Sequence, residues 1–103
     1  MIKDRKFNLF GTTYKLVFTD KIENDDPDRF TWGDTDGRVH IIRIATKDIN
    51  GKSISEDELD ITIKHELMHV IFGEGQYSSC NTDEPLVEWC ARCLHSFKKQ
   101  GLL

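Results

Sequence analysis

Residues 65–69 read His65-Glu66-Leu67-Met68-His69, an H-E-x-x-H pattern inside the longer run SEDELDITIKHELMHVIFG at 55–73. Positions four apart on a helix share one face, so both imidazoles of such a helix can address one ion. Two neutral histidines and an adjacent carboxylate make up the working parts of a catalytic zinc site. The rings hold the metal, and Glu66 takes a proton from the water that the metal polarises. Ile61, Ile63, Leu67, Met68, Val70, Ile71 and Phe72 surround the histidines and cover most of the helix circumference, which predicts a buried central helix. Two unpartnered histidines in such a helix would destabilise it, and a shared ion removes that cost. Ser55 and Glu58 have the capping-box spacing that opens the helix, and Gly73 and Gly75 are its expected stop.

Upstream of this helix the pattern changes period. TTYKLVFT at 12–19 is rich in β-branched and aromatic residues and reads as a strand. Residues 20–29 are polar, contain Pro27 and read as a loop. Phe30–Trp32 is expected as a short strand and Gly33–Gly37 as a turn. RVHIIRIAT at 38–46 is then a third strand, with Val39, Ile41 and Arg43 on one face and His40, Ile42 and Ile44 on the other. Residues 47–54, with Asn50-Gly51, form a loop. Downstream, residues 76–80 are expected as a connector. Asn81–Pro85 opens a final helix that runs to about Lys99, with Lys98 and Lys99 at its negative end and Gly101 beyond it. Strands followed by two helices define an α+β class: a small antiparallel or mixed sheet of about three strands packed on the H-E-x-x-H helix and a C-terminal helix, as one domain over residues 1–103.

A catalytic zinc site usually takes three protein ligands. Downstream candidates are Asp83, Glu84, Glu88 and His95. Glu84, Glu88, Ala91 and His95 form one stripe of the last helix, nearly opposite Leu86, Val87, Cys90, Cys93, Leu94 and Phe97. That stripe is either solvated or turned to the metal, with Ala91 letting the helices approach. Glu88 is the favoured ligand over Glu84, because a carboxylate in the first helical turn already has a capping and dipole role. His95 is a partner behind the ligands or an exposed residue. Cys90-x-x-Cys93 has the spacing of half a structural zinc site, but both lie on a continuous apolar helix stripe and read as core. Tyr77 and Arg92 are candidate oxyanion donors without a signature of their own. Trp32 and Trp89 are expected in or at the edge of the core.

With 103 residues and a net charge of −4, the chain fits one compact domain and has no basic stretch for nucleic acid. No segment is long enough to cross a membrane. MIKDRKFNLF lacks the apolar run of a signal peptide, and three cysteines without one lead us to expect a reduced, cytoplasmic setting.

HELMH together with Leu86-Val87-Glu88-Trp89-Cys90-Ala91 resembles the minimal gluzincin-type zinc metallopeptidases, among them small phage and prophage metallopeptidase-like proteins and the ImmA/IrrE-like group. In that pattern, strands precede the H-E-x-x-H helix and a following helix supplies a glutamate. The resemblance spans most of the chain. It implies a zincin-like fold, zinc held by His65, His69 and Glu88, Glu66 as catalytic base, a peptide or protein substrate, and a host-cytoplasmic location for a phage-derived protein. The substrate is expected to lie extended along a strand edge within residues 38–45. The alternative function is a binding module with a structural or vestigial metal site that docks a protein partner.

Overall fold

The computed structural model describes residues 3–26 and 28–103, which divide between Ser55 and Glu56 into two compact units. The first is a four-stranded mixed sheet: β1 Arg5–Leu9, β2 Thr12–Thr19, β3 Gly33–Asp36 and β4 Ile41–Ala45, in the order β1-β2-β4-β3. The sequence led to an expectation of about three strands, and β1 is the addition.

β1 and β2 form a tight antiparallel hairpin. Phe10 and Gly11 sit at its tip with φ of 49° and 94°, the paired positive angles of a type I′ turn. Asn8 closes it by accepting the Gly11 amide on its side-chain oxygen at 2.8 Å. The tip carries Phe-Gly rather than the Asn-Gly that signals such a hairpin. β2 has the predicted bounds, and its alternation buries Tyr14 and Leu16.

β2 pairs in parallel with β4, and β4 pairs antiparallel with β3. The expected hairpin is therefore present, but its register has moved. Phe30–Trp32 is not the strand: those two rings pack edge-to-face at 4.9 Å, and the ladder begins at Gly33. The stretch expected to turn, 33–36, is the strand because its acids have partners. Asp34 lies opposite Arg43 and ion-pairs with it, and Asp36 pairs with Arg38. Cross-strand charge pairing lets Asp occupy an edge strand despite its low intrinsic preference for strands. The turn falls at 37–40, where His40 adopts φ 57° and its ring packs on Tyr14 at 5.0 Å. His40 thus leaves the strand, which starts at Ile41.

Ile42 and Ile44 are 0 % exposed, and Arg43 between them points outward, as the predicted alternation requires. β4 is an inner strand with both edges taken by β2 and β3, so residues 41–45 offer no edge to a peptide. The outer strands are β1 and β3.

The second unit holds α1 Glu56–Glu74, the short α2 Ser78–Asn81 and α3 Glu84–Lys99. α1 starts immediately after Ser55, with Glu56, Asp57 and Glu58 in the first turn, where carboxylates offset the helix dipole. Gly73 is still helical; the helix stops at Gly75, followed by Gln76 at φ 61°. α2 occupies much of the expected connector. α3 begins as predicted: Asp83 accepts the Leu86 amide at 3.2 Å, Pro85 fills the first turn, Lys98 and Lys99 close the last, and Gly101 follows at φ 80°.

Val87 and Ala91 are fully buried, and Leu59, Ile61, Met68 and Val70 complete the core residues of the two long helices. Burial around α1 is less complete than expected, since Ile71 is exposed and Ile63, Leu67 and Phe72 are half-buried. Trp89 is 68 % exposed and Trp32 is also exposed, which removes both from the core. Among the described residues, no helix is long and apolar enough to cross a membrane.

Candidate metal centre

His65 and His69 lie one turn apart on α1 with ring centroids 5.0 Å apart. Both present Nε2 to a single carboxylate. Glu84 Oε2 stands 2.9 Å from His65 Nε2, and Glu84 Oε1 stands 3.1 Å from His69 Nε2. Glu84 opens α3, and the Asp83 cap makes this first turn. The capping role expected of Glu84 therefore belongs to its neighbour, and Glu84 is available to face α1.

The opposite nitrogens of the two rings are also engaged. His65 Nδ1 donates to Glu88 Oε1 at 3.0 Å, and His69 Nδ1 donates to Asn81 Oδ1 at 2.7 Å. An ionised carboxylate only accepts, so a proton of the His65 ring belongs on Nδ1, and the same rule asks for one on Nε2 unless a cation stands between it and Glu84. With the Nδ1 proton committed, Nε2 faces Glu84 in one of two ways: as a donor of an imidazolium, or as a lone pair directed at a cation shared with the carboxylate.

The donor set fits zinc. His65, His69 and Glu84 can place one ligand atom each within 4.8 Å of one another, and they are the one such group among the described residues. Tetrahedral zinc with bonds of about 2.0–2.1 Å separates its ligands by roughly 3.3 Å. The nitrogen–oxygen separations are 2.9 Å to Glu84 Oε2 and 3.1 Å to Glu84 Oε1, close to that spacing, with each imidazole facing its own oxygen of the carboxylate. Two imidazoles and one carboxylate leave a fourth position for water, as catalytic zinc sites do.

Glu88, the favoured ligand in the sequence, is brought to the centre, but on the Nδ1 side of His65 and with its second oxygen held by Arg92. Arg92 Nε and Nη2 each lie 2.9 Å from Glu88 Oε2. This pairing also accounts for Arg92, an oxyanion candidate from sequence. Glu66 is 5 % exposed, the one buried charged side chain among the described residues. Helical spacing puts it on the side of α1 shared with Leu59 and Val70, about 100° around from His65. Tyr77 is exposed, and its ring lies where a Cβ on Gly75 would meet it at 2.8 Å.

His95 belongs to a separate cluster further along the helix pair. Its Nδ1 lies 2.6 Å from Asp60 Oδ2 and its Nε2 lies 3.3 Å from Asp57 Oδ1. Lys64 and Lys98 also donate to Asp60, at 2.7 and 2.9 Å. Partial burial of Asp60 opposes its ionisation, but hydrogen bonds from Lys64, His95 and Lys98 outweigh it and hold the carboxyl well below the usual range. Cys80, Cys90 and Cys93 are free, half-buried thiols, and none joins a metal-holding group. A cavity of about 390 Å³ in the first unit, lined in part by Lys21, Arg29, Phe30 and Lys47, contains none of the H-E-x-x-H residues.

Asn81 is the site residue that sequence reading passed over. It lies at the end of α2, whose four residues leave no periodic signal. Arg92 was within reach of sequence, being four residues after Glu88 on one helix.

Comparison with protein-family models, with curated proteins and with solved structures returns no match. The chemistry of the centre therefore rests on the chain's own residues.

Proposed function

We propose that this chain is a zinc-dependent peptidase of the minimal gluzincin type, with a zincin-like arrangement of its α+β elements. The observation that carries the proposal is the convergence of both H-E-x-x-H Nε2 atoms on one carboxylate while their Nδ1 atoms are occupied elsewhere. His65, His69 and Glu84 would hold the ion. When bound, zinc polarises a carbonyl and lowers the pKa of a water to about 7.

The residues then divide the remaining work. Glu66 accepts the proton of the attacking water and returns it to the leaving amine, the role a buried carboxylate next to two metal ligands can fill. Its burial keeps bulk water from competing for that proton. His65 and His69 would hold the ion against α1, and Glu84 would supply a negative charge that offsets it. A purely structural zinc site has no use for a base between its histidines, so Glu66 favours the enzyme over a docking module.

Two measurements test the proposal. Tag-free protein should hold one zinc per chain and cleave unstructured peptides. Glu66→Gln should keep the zinc and lose hydrolysis by at least the 10²–10⁴-fold that general-base catalysis supplies. Full activity in that variant, or absence of zinc from the wild type, refutes the assignment.

A further inference from the structure

We infer that Glu88, Arg92 and Asn81 are positioning residues that fix the tautomer and ring angle of the two histidines, and that Glu88 acts through His65 rather than on the ion itself. The inference rests on the zinc reading above and deepens it.

The geometry that carries it is the division of labour between two glutamates one turn apart on α3. Glu84 divides its oxygens between the two Nε2 atoms, at 2.9 and 3.1 Å. Glu88 has neither oxygen to spare. Oε1 accepts from His65 Nδ1 at 3.0 Å, and Oε2 accepts from Arg92 at 2.9 Å. To reach an ion at Nε2, Glu88 would have to break a charge-assisted hydrogen bond on each oxygen. Arg92 follows Glu88 by four residues on one helix, so α3 presets the pair before α1 is met. The chain Arg92–Glu88–His65 therefore runs from the helix surface to the ring.

His69 has a neutral counterpart. Asn81 Oδ1 accepts from its Nδ1 at 2.7 Å, and Asn81 is itself set by α2, where its amide donates to Tyr77 O at 2.9 Å. One ring thus leans on a carboxylate and the other on an amide. Both arrangements hold the proton on Nδ1 and leave the Nε2 lone pair to the ion.

The test compares zinc affinity, by competition with a chromophoric chelator, with the visible absorption of the Co²⁺-substituted protein. Glu88→Ala should weaken zinc by about 10–100-fold while the Co²⁺ bands keep their wild-type positions and intensities, because the coordinating atoms are unchanged. Glu88→Gln, whose amide oxygen still accepts from Nδ1, should recover part of that loss. Asn81→Ala should weaken zinc within the same range through His69. Glu84→Ala should change the Co²⁺ bands themselves. The inference is overturned if Glu88→Ala binds zinc like the wild type, or if it alters the Co²⁺ spectrum as Glu84→Ala does, since the latter would make Glu88 a ligand. Should Glu88→Ala not fold, Glu88→Gln and Asn81→Ala carry the same comparison. A wild type that takes up no zinc removes the peptidase reading and this inference together. A wild type that binds zinc while Glu88→Ala and Asn81→Ala are silent removes this inference alone.

Discussion

Zinc should stabilise the helical unit, and Glu84→Gln should abolish most of that effect while barely changing the metal-free protein. The centre draws on α1, α2 and α3 together, through His65 and His69, Asn81, and Glu84 with Glu88. Binding energy at such a centre is folding energy. At free zinc of 100 times Kd the expected gain is about 2.7 kcal/mol. For a protein of this size that is a rise in Tm of roughly 10–20 °C, at about 4–8 °C per kcal/mol. Loss of a ligand should cost at least as much affinity as loss of a partner behind a ligand, about 100-fold at the upper end. At the same zinc concentration the gain then falls to about 0.4 kcal/mol, or a Tm rise of roughly 2–3 °C. Without zinc, the Glu84 side chain is 63 % exposed and its contacts to the histidines are worth only about 0–1 kcal/mol. The assay is thermal unfolding by circular dichroism at pH 7.5, with chelator and with buffered zinc, for both proteins. An unchanged wild-type Tm on adding zinc refutes the metal centre. A full zinc response in Glu84→Gln refutes the ligand set.

Further outcomes follow from features away from the histidines. Asp60 has a folded-state pKa below its unfolded value of about 3.9, so its contribution to stability is complete above roughly pH 5 and is lost as pH falls through 4 toward the folded value. Urea denaturation should show Asp60→Asn destabilised by about 1–3 kcal/mol at pH 7, with the gap to wild type narrowing at pH 3; a pH-independent gap contradicts the charge account. Phe10 is fully exposed in a left-handed conformation, so Phe10→Asn should raise stability by about 1 kcal/mol, and a loss of stability would mean that the turn depends on the ring.

The parts of the fold that were legible in sequence are those set by local periodicity and caps. β2 matched to the residue because TTYKLVFT is a dense run of β-branched and aromatic residues that ends where the polar stretch from Asp20 begins. The start of α3 was legible because Asp83, Glu84 and Pro85 are a local N-terminal signal, satisfied within one turn. The 33–36 strand was illegible because its residues carry turn chemistry. They become a strand only when Arg38 and Arg43 come round to pair with their acids. β1 was hidden by a two-residue Phe-Gly tip, which departs from the usual hairpin signal. Trp89 was placed at the core edge on residue type alone, but its position on α3 turns it away from α1.

By itself, the sequence determined the α+β class, the central helix and the two histidines on one face of it, because a period of 3.6 puts His65 and His69 together whatever surrounds them. It narrowed the acidic partner to one stripe of α3 and could go no further, because Glu84 and Glu88 lie one turn apart on that stripe with the same chemistry. Tertiary structure decided which glutamate faces which nitrogen. That depends on how far α3 slides along α1, on whether Asp83 relieves Glu84 of capping, and on where α2 sets Asn81. None of these distances is encoded by spacing along the chain; each is fixed only when Val87 and Ala91 bury themselves and the two helices come into register.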